Sequence, residues 1–260
     1  MFVQVSAATL AGGPAPNEDY HLVSPSWAVV LDGVTRYPDD GCVHDVPWYA
    51  AALGGALAGR LPDADRSLRS CLAGAIESVA DAHRATCDLS NPVSPAATAA
   101  VVRFAEGRLE WLVLGDCAVV WHEPEREPHI ETDDRLARLE DPPAAVDVGG
   151  IKRYPVDYIA RVRNRPGGFW VASAEPEAAE QARTGVVRTD GLEAVGLFTD
   201  GLTRLVDWYG RTWREALDTA AVHGVSRLLA RIREAENNDP GAHARAKRHD
   251  DATGVLLRPV

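Results

Sequence analysis

"WAVVLDGVT", residues 27–35, and "VGLFTDGLT", residues 195–203, decide how this chain is read. Each is an apolar run that ends on an aspartate followed by a glycine, Asp32-Gly33 and Asp200-Gly201. A short apolar run bounded by turn residues reads as a buried strand. A buried strand that ends on a carboxylate needs something to hold that charge.

Outward from these two stretches, carboxylates recur at strand ends. Glu18 and Asp19 precede "YHLVS", Asp116 lies in "LVLGDCAVV", and Asp250 with Asp251 precedes "ATGVLL". In antiparallel strands the end of one lies beside the start of its neighbour, so Glu18, Asp32, Asp200 and Asp250 can converge on one edge. Clustered carboxylates repel, and no Lys or Arg is built into these motifs, so a hard divalent cation is expected to supply the opposite charge. Oxygen-only ligation favours magnesium or manganese over zinc. Glycine after aspartate lets the chain turn sharply and offer a backbone carbonyl as a further ligand. Two such ions a few ångström apart stabilise both oxygens of an in-line phosphoryl displacement, so hydrolysis of a phosphate ester is the expected reaction.

The remaining chain sets the architecture. Residues 2–10 alternate as a strand, and "YHLVS" with "SWAVVLDG" reads as a hairpin around Pro25. From Pro47 the period changes to three and four, predicting two helices, the second capped by Asp65. After Pro95 the period returns to two, with a tight turn at "AEGR", residues 105–108. Residues 122–150 are acidic and Pro-rich, with irregular chain or a short helix at "DDRLARLE" expected. Further helices are expected in "YPVDYIARVRNRPGGFW", "EPEAAEQART" and "TWREALDTAAVHGVSRLLARIREAEN", and "ATGVLLRPV" ends the chain as a strand. This order does not alternate as βαβ units do, so antiparallel sheets with helices on their outer faces are expected.

Composition bounds the partners. With 260 residues and a formal net charge of -11, one domain over 1–260 is expected and nucleic acid would meet repulsion. The basic run "ARAKRH", residues 244–249, reads as a solvated loop or helix end. The N-terminus lacks the pattern of a signal peptide and no apolar segment is long enough to cross a membrane, so a cytoplasmic protein is expected. Cys42, Cys71, Cys87 and Cys117 lie far apart, show no CxxC and no Cys/His pair of zinc spacing, and read as reduced thiols. Histidines such as His44, His122 and His249 read as surface residues. An aspartyl-nucleophile phosphatase would want an aspartate at Val30, which excludes that chemistry for "VVLDGVT".

At Asn17-Glu18-Asp19, Asp32-Gly33, Thr98-Ala99, Gly115-Asp116, Thr199-Asp200-Gly201 and Asp250-Asp251-Ala252-Thr253 the chain resembles the type-2C metal-dependent Ser/Thr protein phosphatases, as a divergent, bacterial-type member. The resemblance implies an α+β fold: a four-layer α-β-β-α sandwich of two mainly antiparallel sheets flanked by helices. It implies a cytoplasmic signalling hydrolase that uses two Mn2+ or Mg2+ ions, with a weaker third. Its substrate would be a phosphorylated protein, in partnership with a Ser/Thr kinase system. By the same resemblance Asp32 bridges the ions, Gly33 and Glu18 serve the second, Asp200 and Asp250 serve the first, and Asp116 joins Asp200 at the third. Asp19 orients a metal-bound water, whose hydroxide attacks phosphoserine or phosphothreonine. The sequence departs from the family where Val34-Thr35-Arg36 follows Asp32-Gly33, where "GGPAP" replaces the usual phosphate-gripping arginine, and at Arg204, where an aspartate often stands. Arg36 is then the candidate phosphate ligand. The alternative reading is a phosphatase-like module of weak or no turnover that binds a phosphoprotein or a regulatory partner.

Overall fold

The computed structural model describes residues 3–148, 151–241 and 247–259. Residues 244–246 of the basic run lie outside the described residues. One sheet has the order β1 (Val3–Leu10), β12 (Ala252–Pro259), β11 (Ala194–Phe198), β6 (Ala118–His122), β7 (His129–Thr132). The other runs β10 (Arg183–Arg188), β5 (Arg108–Leu114), β4 (Ala97–Ala105), β3 (Trp27–Gly33), β2 (Asp19–Val23). The pairings within both are antiparallel. A small hairpin of β8 (Val146–Val148) and β9 (Ile151–Arg153) stands apart from them.

Side-chain parity builds the layers. Successive residues of a strand face opposite sides, so a strand buried on both faces reads as continuously apolar. In β3, Trp27, Val29 and Leu31 face α1 (Val46–Ala58) and α2 (Leu68–His83), packing with Tyr49, Leu53 and Leu72. Ala28 and Val30 face the other sheet, meeting Val119, Val195, Leu197 and Val255. The outer face of that second sheet, through Val120, Phe198 and Leu256, packs on α4 (Asp200–Asp207), α5 (Trp213–His223) and α6 (Val225–Asn238). Three buried interfaces therefore separate four layers, helix, sheet, sheet, helix, as the sequence suggested.

Local details differ where tertiary contacts decide. Ser67, rather than Asp65, caps α2 by accepting a hydrogen bond from Ser70 N. Of the two forms expected for "DDRLARLE" the structure shows the irregular one, a run of turns, and "EPEAAEQART" yields a short 3-10 helix, Pro176–Gln181, that runs into β10. The segment after Asp200, unassigned from the sequence, is helix α4. Cys42 and Cys87 are joined in a disulfide, which corrects the expectation of four thiols; Cys71 and Cys117 are free and buried. Among the described residues no helix is long and apolar enough to cross a membrane.

Candidate metal centre

The same parity that builds the core aims the carboxylates. Asp32 follows Ala28 and Val30 on the face of β3 that looks into the space between the sheets. It pairs across β2 with Asp19 and across β4 with Thr98. Directly opposed residues of an antiparallel pair point the same way, so Asp19, Asp32 and Thr98 share the end of the intersheet core. Asp116 sits where the chain leaves β5 of one sheet for β6 of the other. Asp200 opens α4 immediately after β11, and Asp250 lies just before β12. The apolar filling thus ends in acids contributed from both sheets.

A cavity of about 550 Å³ opens over this end, lined by Asp32, Gly33, Asp116, Asp200 and Asp250 among others. Glu18 and Asp19 stand behind that lining. Asp19 accepts a hydrogen bond from Thr199 Oγ1 at 2.9 Å through Oδ2, while its buried Oδ1 has no hydrogen-bond partner among the described residues. Thr199 Oγ1 in turn accepts from Thr253 N at 2.9 Å, so the threonines of the two late motifs meet at Asp19. Asp251 accepts from Gly12 N and Glu18 N, each at 2.7 Å, and so organises the loop before β2.

The glycines have a different reason from the one inferred above. Neither Gly33 nor Gly201 has a positive φ, so neither makes a left-handed turn. Both are points of close approach. A Cβ on Gly33 would stand 2.6 Å from the Glu18 carbonyl oxygen and overlap Val46. A Cβ on Gly201 would overlap the Asp251 carbonyl oxygen and stand 3.3 Å from the Asp250 Cβ. Glycine lets the carboxylate-bearing segments come together.

The motifs themselves contain no cation, but two from outside them reach the cluster. Lys247 Nζ lies 2.8 Å from Asp250 Oδ1 and 3.8 Å from Glu18 Oε2. Arg204 bridges Asp250 Oδ2 at 2.5 Å and Glu236 Oε1 at 3.2 Å, under the ring of Trp208. Burial pulls the Lys247 ammonium down, but Asp250, Glu18 and Asp32 together leave it above its ordinary value. Both partners serve Asp250, and no ion pair among the described residues reaches Asp32, Asp116 or Asp200.

Burial, joined by the charges of Asp200, Asp19, Asp116 and Asp250, therefore pushes Asp32 well above the usual carboxylate range. Asp200 rises to about 8 through burial and then Asp116 and Asp250, against a lowering by Arg204. Asp19 rises to about 7 through burial, which outweighs the hydrogen bonds from Thr253 and Thr199. Burial also raises Asp116 and Glu18, the latter opposed by the Thr35 hydroxyl and Lys247. Oxygen donors that are buried, repel one another and include an unpartnered atom fit one or more hard divalent cations.

This arrangement fixes a pH dependence. Carboxyls raised from 3.8 to about 8 keep protons in the folded, cation-free chain that the unfolded chain has already lost. Their contribution to stability therefore falls as pH rises through that window, and bound cations restore it. Melting of chelator-treated protein from about pH 5 to about pH 8 should show a falling Tm, with manganese raising Tm more at the upper pH.

Arg36 is not where a phosphate ligand would stand. Its guanidinium pairs with Asp40 at 2.7 Å and donates to the Cys42 carbonyl at 2.5 Å, and it does not line the cavity. The cations that do line it are Lys152, Arg153, Arg163 and Lys247. Arg153 packs over the Tyr37 ring at 5.0 Å and donates to Thr35 O at 2.9 Å, with its buried Nε unpartnered. Sequence reasoning missed these residues. Arg153 comes from a hairpin with no motif, and Lys247 sits in a basic run that looks solvated.

No family model matches this chain, and no curated protein matches it either. Solved structures do. The serine/threonine phosphatase PstP/Ppp of Mycobacterium tuberculosis superposes with a TM-score of 0.66 at 18% identity, over 99% of this chain and 99% of that one. The catalytic domain of PstP in complex with two manganese ions gives 0.60 at 16% identity, over 99% and 98%. Serine-threonine phosphatase 2C from Toxoplasma gondii gives 0.59 at 14% identity, over 99% and 95%. End-to-end coverage at such identities identifies an architecture rather than a chemistry. The chain has the four-layer fold of the type-2C Ser/Thr phosphatases, with its acidic cluster at one end of the paired sheets.

Proposed function

We propose that the chain is a Mg2+- or Mn2+-dependent phosphatase that hydrolyses phosphoserine and phosphothreonine in proteins. The observation that carries this reading is the buried carboxylate set Asp19, Asp32, Asp116 and Asp200, drawn from both sheets and without ion-pair partners among the described residues. Two divalent ions, when bound, supply the positive charge that stabilises a phosphoryl group and acidifies water. Asp32, at the centre of the set, and Asp200 with Asp250 hold one side of the site. Glu18 and the Gly33 carbonyl hold the other, and Asp116 extends it beside Asp200.

The chain's other groups orient the reactants. Asp19, fixed through Oδ2 by Thr199, has Oδ1 available to accept a hydrogen bond from the attacking water. Val34, Ile159, Phe169 and Val171 make an apolar wall that limits competing water. Arg153 and Lys152 at the cavity supply positive charge for the phosphate, a role closed to Arg36 by its pairing with Asp40. Among the described residues the thiol beside the acids is Cys117, which is buried, hydrogen-bonded to Thr98 and kept protonated by burial and the charge of Asp32, so direct attack by water is the mechanism. Phosphate release from phosphoserine and phosphothreonine peptides, present with manganese and abolished by chelator, tests the proposal. No release at any manganese concentration would refute it.

Lys247 and Arg204 favour the alternative of binding with little turnover, because both hold Asp250 without a metal. Their effect is measurable. Lys247→Met keeps an unbranched side chain one atom shorter and removes an ammonium that a divalent ion must displace, so manganese affinity by calorimetry should tighten about tenfold. Retained phosphopeptide binding with no phosphate release, in this variant as in the parent chain, would establish the alternative.

A further inference from the structure

The acidic cleft is not the only place where metal-ligating side chains meet. Cys42 lies in the loop that leaves Asp32-Gly33, His83 is the last residue of α2, and Cys87 follows one helical turn later. One ligand atom from each of Cys42, His83 and Cys87 lies within 4.8 Å of the others, although Cys42 and Cys87 are 45 residues apart. Ligands at ~2.3 Å (sulfur) and ~2.0 Å (nitrogen) around a tetrahedral ion are themselves separated by about 3.5 Å. These three side chains can therefore close on an ion through side-chain adjustment alone.

The imidazole is prepared for ligation. His83 is 2% exposed and its Nδ1 is hydrogen-bonded to the Val79 carbonyl. A carbonyl oxygen only accepts, so Nδ1 carries the proton and Nε2 holds the lone pair of the neutral ring. A ligating histidine tied at its other nitrogen to a backbone carbonyl is the usual outer-shell arrangement. His44 lies outside that 4.8 Å group, with its ring stacked on Trp48 at 3.9 Å and its centroid 6.2 Å from that of His83, so it reaches the ion as a fourth ligand only by turning its ring off Trp48.

In sequence these residues read Cys42-x-His44 and His83-x-x-x-Cys87, a two-part pattern that runs against the expectation of no Cys/His pair of zinc spacing. We propose that Cys42, His44, His83 and Cys87 form a structural zinc site in the reduced protein, and that the disulfide is the metal-free, oxidised state of the same pair. A thiol or phosphine reductant supplies two electrons, the S–S bond breaks, and two protons from water give two thiols while the reductant is oxidised. Zinc then displaces both thiol protons to solvent and forms two Zn–S and two Zn–N bonds. Sulfur and nitrogen donors select zinc here, whereas the oxygen donors of the cleft select magnesium or manganese.

The site would fasten the loop whose first residues, Val34, Thr35 and Tyr37, line the cavity. That loop is already tied to the segment after α2, by Asp88 N donating to Gly41 O at 2.8 Å and Asn91 Nδ2 donating to Asp39 O at 2.9 Å. The full chain, reduced with a phosphine and stripped of metal, is to be titrated with Co2+ as a spectroscopic probe. The expected result is one tightly held equivalent with thiolate-to-cobalt charge-transfer absorption and the visible bands of a tetrahedral ion, both abolished by added zinc. The charge-transfer band should vanish in Cys87→Ser, weaken in His83→Ala and persist in Asp32→Asn. Reduced parent protein lacking that band overturns the proposal, whatever the variants do. So does a band that survives in Cys87→Ser.

Discussion

Asp32→Asn should lower phosphopeptide hydrolysis by about three orders of magnitude and at the same time raise the Tm of the cation-free protein near pH 8. The two effects have one cause. Asp32 is central in a set whose members push one another's pKa upward, with no cationic partner of its own among the described residues. An amide of the same shape removes the repulsion and keeps the packing, so the fold gains what the site loses. Manganese affinity should fall in the same variant. A purely structural Asp32 would give the opposite pattern, with lower stability and little change in manganese binding. Thermal melts with and without manganese, beside initial rates, separate the two.

Gly201→Ala should destabilise the fold by about 3 kcal/mol, equivalent to a fall in Tm of roughly 10 °C. The new Cβ meets backbone, the Asp251 carbonyl, and comes within 3.3 Å of the Asp250 Cβ. The Asp251 carbonyl is backbone and cannot yield as a flexible side chain would, and the displaced segment carries Asp250. Gly55→Ala is the matched comparison: its Cβ meets nothing within 4 Å on α1, and the better helix former should add about 1 kcal/mol of stability. Equal behaviour of the two variants in a denaturant titration would remove close approach as the reason for glycine after aspartate.

Much of the fold was legible because it rests on local period. The strand "WAVVLDG" is apolar without alternation because one face meets helices and the other meets the second sheet, and its ending in Asp32 announced the site. The order of motifs was legible for the same reason. What escaped was set by partners far off in sequence. Gly201 is small because of Asp251, and nothing in "TDGLT" records that neighbour. Helix α4 begins at Asp200 without a side-chain cap, since the hydroxyl of Thr199 is turned to Asp19 instead. Arg36 stood as the candidate phosphate ligand, yet Asp40 and the Cys42 carbonyl hold it. Lys247 looked solvated within its basic run, yet it is paired with Asp250. Charges of this kind cannot be placed until the chain is folded.

Diffraction from crystals grown with manganese, recorded at its absorption edge, shows whether these carboxylates hold a pair of ions. The account predicts two strong anomalous peaks in the cavity, the stronger ligand contacts coming from Asp32, Asp200 and Asp250, with Lys247 moved off Asp250. A map in which manganese is absent from these carboxylates, and Lys247 still rests on Asp250, would contradict it.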